Sequence, residues 1–153
     1  MTTPMMEAPM LEVPTMNTPT RVNSSAFDTA RELMDSARRS IAEATVAPTS
    51  SARFAAAHLA ALRAATAVLA VRAQQGQRRG VRSVWSLLPE IAVEFTEWSA
   101  FFAATAGKRA QAQVGMAVVS VREADDLVRD AEQFLERVSA SLGFAHQSVL
   151  IES

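Results

Sequence analysis

Four segments of the chain place apolar side chains at the three- and four-residue spacing of a helix with one buried face. They predict helices over about residues 25–44, 51–74, 89–113 and 120–142. Each segment is about 20 residues long, and loops of roughly 5–10 residues join them, which favours antiparallel neighbours. The pattern therefore predicts an all-α fold, an up-down-up-down four-helix bundle.

Two of the predicted helices carry clear start signals. Ser120-x-x-Glu123 is a capping box, in which each residue's side chain accepts a hydrogen bond from the other's backbone amide. Pro89 fits the first position of the third helix, where a missing N–H costs nothing. The preceding stretch SVWSLL is predicted to form a short turn.

The two ends of the chain differ from this helical region. Residues 1–24 are predicted to be a disordered tail, because they hold four of the six prolines and five of the seven methionines. Each proline removes a backbone donor and disfavours a helical conformation for the residue before it. The four-helix domain is predicted over residues 25–142, and residues 143–153 are predicted to be a C-terminal tail.

Composition narrows the classes of function. The 15 basic side chains nearly balance the 16 acidic ones, so no field of the whole chain favours nucleic acid or membrane. With no cysteine and only two histidines, neither a metal site nor a cofactor is expected. No uninterrupted apolar run reaches the roughly 18 residues that cross a bilayer. We therefore expect a cytoplasmic protein without a membrane partner.

Arg53 and His58 lie five positions apart in SARFAAAHLAALRAATAVLA, and their chemistry suits cleavage of RNA without a metal. A histidine can take the proton of a 2′-hydroxyl because its pKa lies near neutrality. An arginine can stabilise the charged phosphorane because its guanidinium matches phosphate oxygens. These two residues are therefore the candidate catalytic pair.

The same pair also has a purely structural interpretation. At about 100° per residue, five positions place the two side chains roughly 140° apart around a helix, so they diverge unless a second subunit completes the site. His58 also lies within the apolar stripe, about 40° from Phe54 by the same geometry. There it would pack in the core and bond a backbone carbonyl or a carboxylate, such as Glu94 or Glu97.

Two groups of basic residues are candidate sites for phosphate, and for the first group the alternative is a solvated, mobile loop. The first lies in the predicted loop QQGQRRGVR and consists of Arg78, Arg79 and Arg82. The second is predicted where the ends of the first and third helices meet the starts of the second and fourth. Its members are Arg38, Arg39, Arg53, Lys108, Arg109 and Arg122.

Three stretches of the sequence resemble a known family. They are SSARFAAAHLAALRAATAVLA, FTEWSAFFAATAGKRAQA and VSVREADDLVRDAEQFLERV, and together they span about residues 26–142. They are similar to the HEPN superfamily (higher eukaryotes and prokaryotes nucleotide-binding), and more narrowly to a small, alanine-rich actinobacterial branch. The acidic, leucine-spaced closing helix carries the strongest part of this resemblance.

The resemblance implies a four-helix bundle that is frequently a homodimer. Many members are toxin or defence ribonucleases that use an R-x4–6-H motif without metal, and others pair with nucleotidyltransferase partners. In those ribonucleases the motif usually lies on a late helix. Residues 89–142 of this chain contain no histidine, so Arg53 and His58 on the second helix are the remaining candidates.

Two functions from different classes follow. The first is a non-catalytic HEPN-like interaction module that acts through an alanine-rich helix face. It would form a homodimer, or it would bind RNA, a nucleotide-related ligand or a nucleotidyltransferase-like partner protein. A toxin–antitoxin-like role belongs to this hypothesis. The second is a metal-independent endoribonuclease in which His58 is the base and Arg53 the electrostatic stabiliser. A small DNA- or RNA-binding regulator that uses Arg78, Arg79 and Arg82 is a further alternative.

Overall fold

A computed structural model describes residues 3–73, 83–116 and 118–144 of the chain, with side chains from Ser24 onward. These residues form five α-helices and one 3₁₀ helix, with no strand among them. The helices are α1 (Thr3–Thr45), α2 (Ser50–Arg72), α3 (Val84–Ile91), α4 (Thr96–Gln113) and α5 (Val121–Leu142), and the 3₁₀ helix is Val93–Phe95. The all-α class is confirmed, whereas the up-down-up-down order of four helices stays a prediction.

α1 begins earlier than the predicted start near residue 25. Its helical backbone runs from Thr3, and its described packing begins after Ser24, with Ala30, Met34 and Ala37 buried. This segment holds four prolines, each of which removes a backbone donor and fixes φ near the helical value. The disordered state of residues 1–24 stays a prediction.

α1 and α2 form a helical hairpin through residues 46–49. The hydroxyl of Thr49 caps α2 by accepting a hydrogen bond from the amide of Ala52 at 3.0 Å. Further along the pair, Arg63 Nη1 donates to the buried Ser40 hydroxyl at 2.8 Å. The short connection and this cross-link make the two helices antiparallel neighbours.

α2 is the central helix of the domain and contacts α1, α3, α4 and α5. Its buried residues occupy much of its circumference and are mostly small: Phe54, Ala57, His58, Ala60, Ala61, Ala64, Ala65, Ala67, Val68 and Leu69. A helix surrounded by neighbours is apolar nearly all round. Much of the alanine-rich surface of α2 is therefore occupied inside the domain. Binding of a partner through an alanine-rich helix face stays a prediction.

α2 is also long and apolar enough to cross a membrane, contrary to the expectation from uninterrupted apolar runs. Its most apolar 18-residue window has a mean hydropathy of 1.7, although charged residues interrupt the helix. In this structure 56% of that window is buried against other helices. The core helix of a soluble domain meets the same length and hydropathy criteria, so the absence of a membrane partner stays a prediction.

The third predicted helix, over 89–113, is divided into α3, the 3₁₀ helix and α4. The predicted turn SVWSLL instead caps and begins α3, where the Ser83 hydroxyl accepts a hydrogen bond from the Ser86 amide. Pro89 lies inside α3 rather than at a first position, and the chain leaves the helix at Ala92, with φ −137° and ψ 86°. A proline in a helix interior removes a hydrogen bond and crowds the preceding turn, which favours a break nearby.

A buried serine compensates for the donor that Pro89 lacks. In a regular helix the carbonyl of Trp85 would accept from the amide four residues later, and that residue is Pro89. The Ser99 hydroxyl, only 1% exposed, donates to the Trp85 carbonyl at 2.5 Å. This bond ties α3 to α4 and satisfies a carbonyl that the proline leaves without an intrahelical partner.

Aromatic rings fill the space between α3, α4 and α5. Phe102 is fully buried, stacks on Trp85 at a centroid distance of 5.1 Å and lies 5.3 Å from Phe134. Trp98 adds its ring 5.4 Å from Phe134 and 6.0 Å from Phe102. These large side chains hold α4 and α5 apart, while the alanines of α2 allow close approach on the other side.

The ends of α5 follow the sequence signals. The predicted Ser120–Glu123 capping box is present, with both reciprocal hydrogen bonds at 3.0 Å. Gly143 ends the helix at φ 77°, a left-handed conformation that favours glycine. Phe144 then packs edge-on against Phe27 of α1 at 6.4 Å. The rest of the predicted C-terminal tail lies outside the described residues.

We expect Ser99→Ala to destabilise the domain by about 1–3 kcal/mol, because the buried Trp85 carbonyl loses its partner. In a Pro89→Ala background the same change should cost less, because an amide at position 89 can satisfy that carbonyl. Urea unfolding of the two single variants and the double variant measures this coupling. The exposed Ser24→Ala change is the control and should shift stability by less than about 0.5 kcal/mol. Equal costs of Ser99→Ala in both backgrounds would contradict the assignment.

Candidate functional site

His58 lies wholly inside the helical core, with no exposed surface. Its Nε2 donates a hydrogen bond to the backbone carbonyl of Phe102 on α4 at 2.9 Å. Because a carbonyl can only accept, this bond places the proton of the neutral ring on Nε2. Nδ1 is then a buried acceptor, and among the described residues it has no hydrogen-bond partner.

The surroundings of His58 favour its neutral form. Burial lowers the pKa of His58 below its usual value, and the hydrogen bond to Phe102 opposes that shift. The positive charge of Arg109 lowers the pKa further. The rings of Trp85 and Phe102 meet the imidazole edge-on, each at 5.9 Å. His58 is thus a neutral ring that packs in an aromatic core.

Arg53 lies at the start of α2 and joins three helices. Its Nε donates to the carbonyl of Ala44 at the end of α1, at 3.1 Å. Its Nη1 forms an ion pair with Asp125 of α5 at 2.6 Å. A cation bonded to one of the last carbonyls of a helix stabilises that end. This arginine therefore has a structural role at the junction of α1, α2 and α5.

The structure does not bring Arg53 and His58 into one cleft. Arg53 is directed toward α1 and α5, and a small surface pocket of about 130 Å³ lies beside it and Asp125. His58 is directed toward α4 and has no exposed surface. The divergence follows from the helical geometry of five positions. The predicted alternative of a histidine bonded to a backbone carbonyl matches its position, with Phe102 as the partner.

The second predicted basic group is divided along the domain. Arg38 of α1 donates to the Ser139 hydroxyl near the end of α5, at 2.7 Å. Lys108 of α4 pairs with Glu123 near the start of α5, at 2.5 Å. Those two partners are separated by about 24 Å of helix, at 1.5 Å per residue. The prediction counted helix ends and did not account for the distance of Arg38 from the end of α1.

The structure describes three of the remaining predicted basic residues. Arg39 is exposed on α1, and Arg109 donates to Gln113 within α4 at 3.3 Å. Arg122 lies 3.9 Å from Asp126 in the first turns of α5. Arg78, Arg79 and Arg82 lie outside the described residues. Phosphate binding by any of these groups stays a prediction.

The described part of the chain contains a groove that the sequence interpretation missed. It measures about 800 Å³ and lies between the segment 93–101 and α5, with Asp130 and Arg137 on its α5 side. Trp98 and Phe101 supply its aromatic surface, and Glu97 lies on the same side. The apolar pattern alone does not distinguish Phe101, which is 39% exposed, from the fully buried Phe102. The adjacent Phe101 and Phe102 could have signalled the groove, because neighbouring positions cannot share one narrow helix face.

The groove is lined by three carboxylates and one arginine. A bond from its own amide, and then a bond from Arg72, hold the pKa of Glu94 below its usual range. Burial raises the pKa of Asp130, and the nearby charge of Asp126 adds to that shift while Arg129 opposes it. Because carboxylates outnumber cations three to one in this groove, binding of a negatively charged phosphate group is disfavoured there.

Comparison with protein families gives a direct result. The sequence model of the SAV_6107-like HEPN family matches residues 44–139, from the end of α1 to the last turn of α5. This chain belongs to the HEPN superfamily. No curated protein and no solved structure matches it. The resemblance expected from the sequence is thus confirmed for the part of the HEPN domain that contains Arg53, His58 and the groove.

The described residues of this HEPN domain contain no group of three histidine, aspartate or glutamate side chains that could hold a metal ion. The carboxylates at the start of α5 have other roles. Glu123 completes the capping box and pairs with Lys108, and Asp125 pairs with Arg53. Hydrogen bonds from Lys108, and then from the Ser120 amide, lower the pKa of Glu123.

We expect the stability of the HEPN domain to fall as the pH is lowered from 7 toward 5.5, and His58 to account for part of that fall. The folded-state pKa of His58 is lowered, so below about pH 6.5 the unfolded chain takes up a proton that the folded core resists. The maximum slope from one such group is about 1.4 kcal/mol per pH unit. Urea unfolding at several pH values measures it.

His58→Gln should flatten this pH dependence, since the glutamine amide can still donate to Phe102 but does not titrate. His146→Gln is the matched control, because His146 is the only other histidine of the sequence and should leave the slope unchanged. A slope that is unaltered in His58→Gln would show that the imidazole does not stay neutral in the folded core.

Proposed function

We propose that this HEPN domain is a non-catalytic helical interaction module, built on an up-down-up-down bundle, whose partners are proteins. The observation that carries this proposal is the position of His58, which has no exposed surface and bonds the Phe102 carbonyl. Homodimerisation and a nucleotidyltransferase-like partner stay predictions within this proposal.

Burial of His58 weighs against a catalytic role, because a general base must come within hydrogen-bonding reach of the proton that it abstracts. The acceptor Nδ1 is enclosed, and the rings of Trp85 and Phe102 lie against the imidazole. An RNA 2′-hydroxyl could reach it only if α2 and α4 separated. Such a separation would expose the aromatic core that stabilises the domain.

The contacts of Arg53 support the same proposal. Its guanidinium is bonded to the Ala44 carbonyl and to Asp125, so a phosphate would have to compete with a carboxylate already in place. An ion pair that is partly exposed contributes only about 0–1 kcal/mol, yet it neutralises the charge that a phosphate would need. Lys108 is neutralised by Glu123 in the same way. Binding to proteins is therefore favoured over binding to RNA.

We expect the purified domain to leave a mixed RNA pool intact in EDTA, with no difference from Arg53→Gln or His58→Gln. The ribonuclease alternative predicts cleavage that both substitutions abolish while the melting temperature changes little. Gel analysis of the RNA, with circular dichroism of each variant, separates the two outcomes.

His58→Ala tests the packing role independently of RNA. The change removes a buried ring and leaves the Phe102 carbonyl with one donor fewer, so we expect a loss of about 2–4 kcal/mol in the free energy of unfolding. His58→Gln restores a donor and should lose less. Equal stability of the wild type and His58→Ala would contradict a packing role and favour the catalytic one.

A further inference from the structure

The groove between α4 and α5 presents a preformed apolar surface. Two core rings fix the position of the Trp98 ring, which stacks on Phe102 at an interplanar angle of 15° and lies 5.4 Å from Phe134. Phe101 packs edge-on against Phe102 at 5.0 Å and remains 39% exposed. Val93, at the end of the groove, is 77% exposed. A partner would thus meet fixed aromatic rings rather than mobile side chains, which lowers the entropic cost of binding.

The shape of the groove suits an extended segment. Asp130 and Arg137 lie seven residues apart on α5, so their wall of the groove covers two helical turns, or about 10 Å. The opposite wall runs from Val93 to Phe101. The aromatic rings between α4 and α5 leave a trough between two helices. A third helix lays its apolar side into a trough of this kind.

The charged residues around this trough favour a partner that carries positive charge. Glu94 is already bonded to Arg72 of α2 at 2.6 Å. Glu97 and Asp130 remain beside the aromatic surface, with Arg137 at the far end of the α5 wall. An arginine or lysine could pair with these carboxylates while its stem or guanidinium lies on Trp98 or Phe101. A second copy of the same groove would instead bring carboxylates against carboxylates.

We propose that this groove binds an amphipathic helical segment of a partner protein that carries arginine or lysine beside its apolar side chains. The inference rests on the proposed function and specifies the surface and the kind of partner. The aromatic rings supply the area to bury, and Glu97 and Asp130 fix the orientation of the basic side chains. The groove between α4 and α5 is then the interaction surface of the domain.

A synthetic helical peptide of about 18 residues, roughly 27 Å long, is the probe. It contains leucine at helical spacing, arginine beside the leucines, alanine elsewhere, and no aromatic residue. Trp98 then reports binding by fluorescence, because the other tryptophan, Trp85, is buried. A matched peptide with glutamate in place of arginine tests the sign of the charge. We expect the arginine peptide to bind and the glutamate peptide not to bind.

Variants of the full chain identify the surface. Phe101→Ala should weaken binding of the arginine peptide roughly tenfold, because it removes exposed aromatic area from the groove. Glu97→Lys should weaken it by roughly fivefold and should allow the glutamate peptide to bind. Glu43→Lys, an equal change of charge at an exposed position on α1, is the control and should bind like the wild type.

Three results would overturn the inference. They are equal binding of both peptides, no binding of either, and equal affinities of Glu97→Lys and Glu43→Lys for the arginine peptide. A fourth is a dimer in sedimentation that dissociates on Phe101→Ala, since the groove would then hold a second copy. Cleavage of RNA that requires His58 would instead overturn the proposed function and leave the peptide result standing, so the two failures are distinguishable.

Discussion

The domain depends on the burial of one helix by its neighbours. α2 contacts four other helices, and its alanines allow those backbones to approach more closely than leucines would. Interiors pack at nearly crystalline density, so an added methylene at such a position has nowhere to go. The bulky side chains are correspondingly concentrated elsewhere, in the aromatic cluster of Trp85, Phe102 and Phe134. Small side chains around α2 and large aromatic side chains between α3, α4 and α5 both follow from the requirement that the interior be filled without gaps.

Polar side chains on this central helix can persist only if each finds a partner. Arg53 bonds α1 and α5, Arg63 bonds Ser40 of α1, Arg72 pairs with Glu94, and His58 bonds α4. Together these side chains bond α2 to α1, α4, α5 and the 3₁₀ helix. Such directional bonds fix the relative positions of the helices, which nonpolar packing alone does not specify. The chemistry that makes arginine and histidine suitable for phosphate also makes them suitable for carbonyls and carboxylates. A motif of two such residues therefore indicates a nuclease only when the fold leaves them exposed.

Local signals in the sequence predicted much of this fold, and long-range contacts account for the rest. The first, second and fourth helical segments and the capping box over Ser120 and Glu123 are local, and the structure contains them. The break before α4 was missed because Pro89 was assigned to the first position of a helix, whereas it lies inside α3. The bond from the Ser99 hydroxyl to the Trp85 carbonyl joins residues 14 positions apart, and no local pattern predicted it. Helical geometry placed His58 within the apolar stripe, whereas its partner Phe102 lies 44 residues away and no local pattern indicated it. The groove was missed because Phe101 and Phe102 are the same residue type. They differ only in the side of α4 on which they lie, which buries Phe102 and leaves Phe101 exposed.

One contact at the edge of the domain has a practical consequence. Phe144, just after α5, lies against Phe27 near the start of the packed part of α1, and the guanidinium of Arg31 lies 4.5 Å from the centre of the Phe144 ring. The start of the packed part of α1 and the end of α5 therefore lie at one corner of the domain. Domains with adjacent ends accept insertion into other proteins and circular permutation readily. A permuted chain joined at that corner by a short glycine linker, and opened between α4 and α5, would keep α2 to α5 intact and α1 from Phe27 onward.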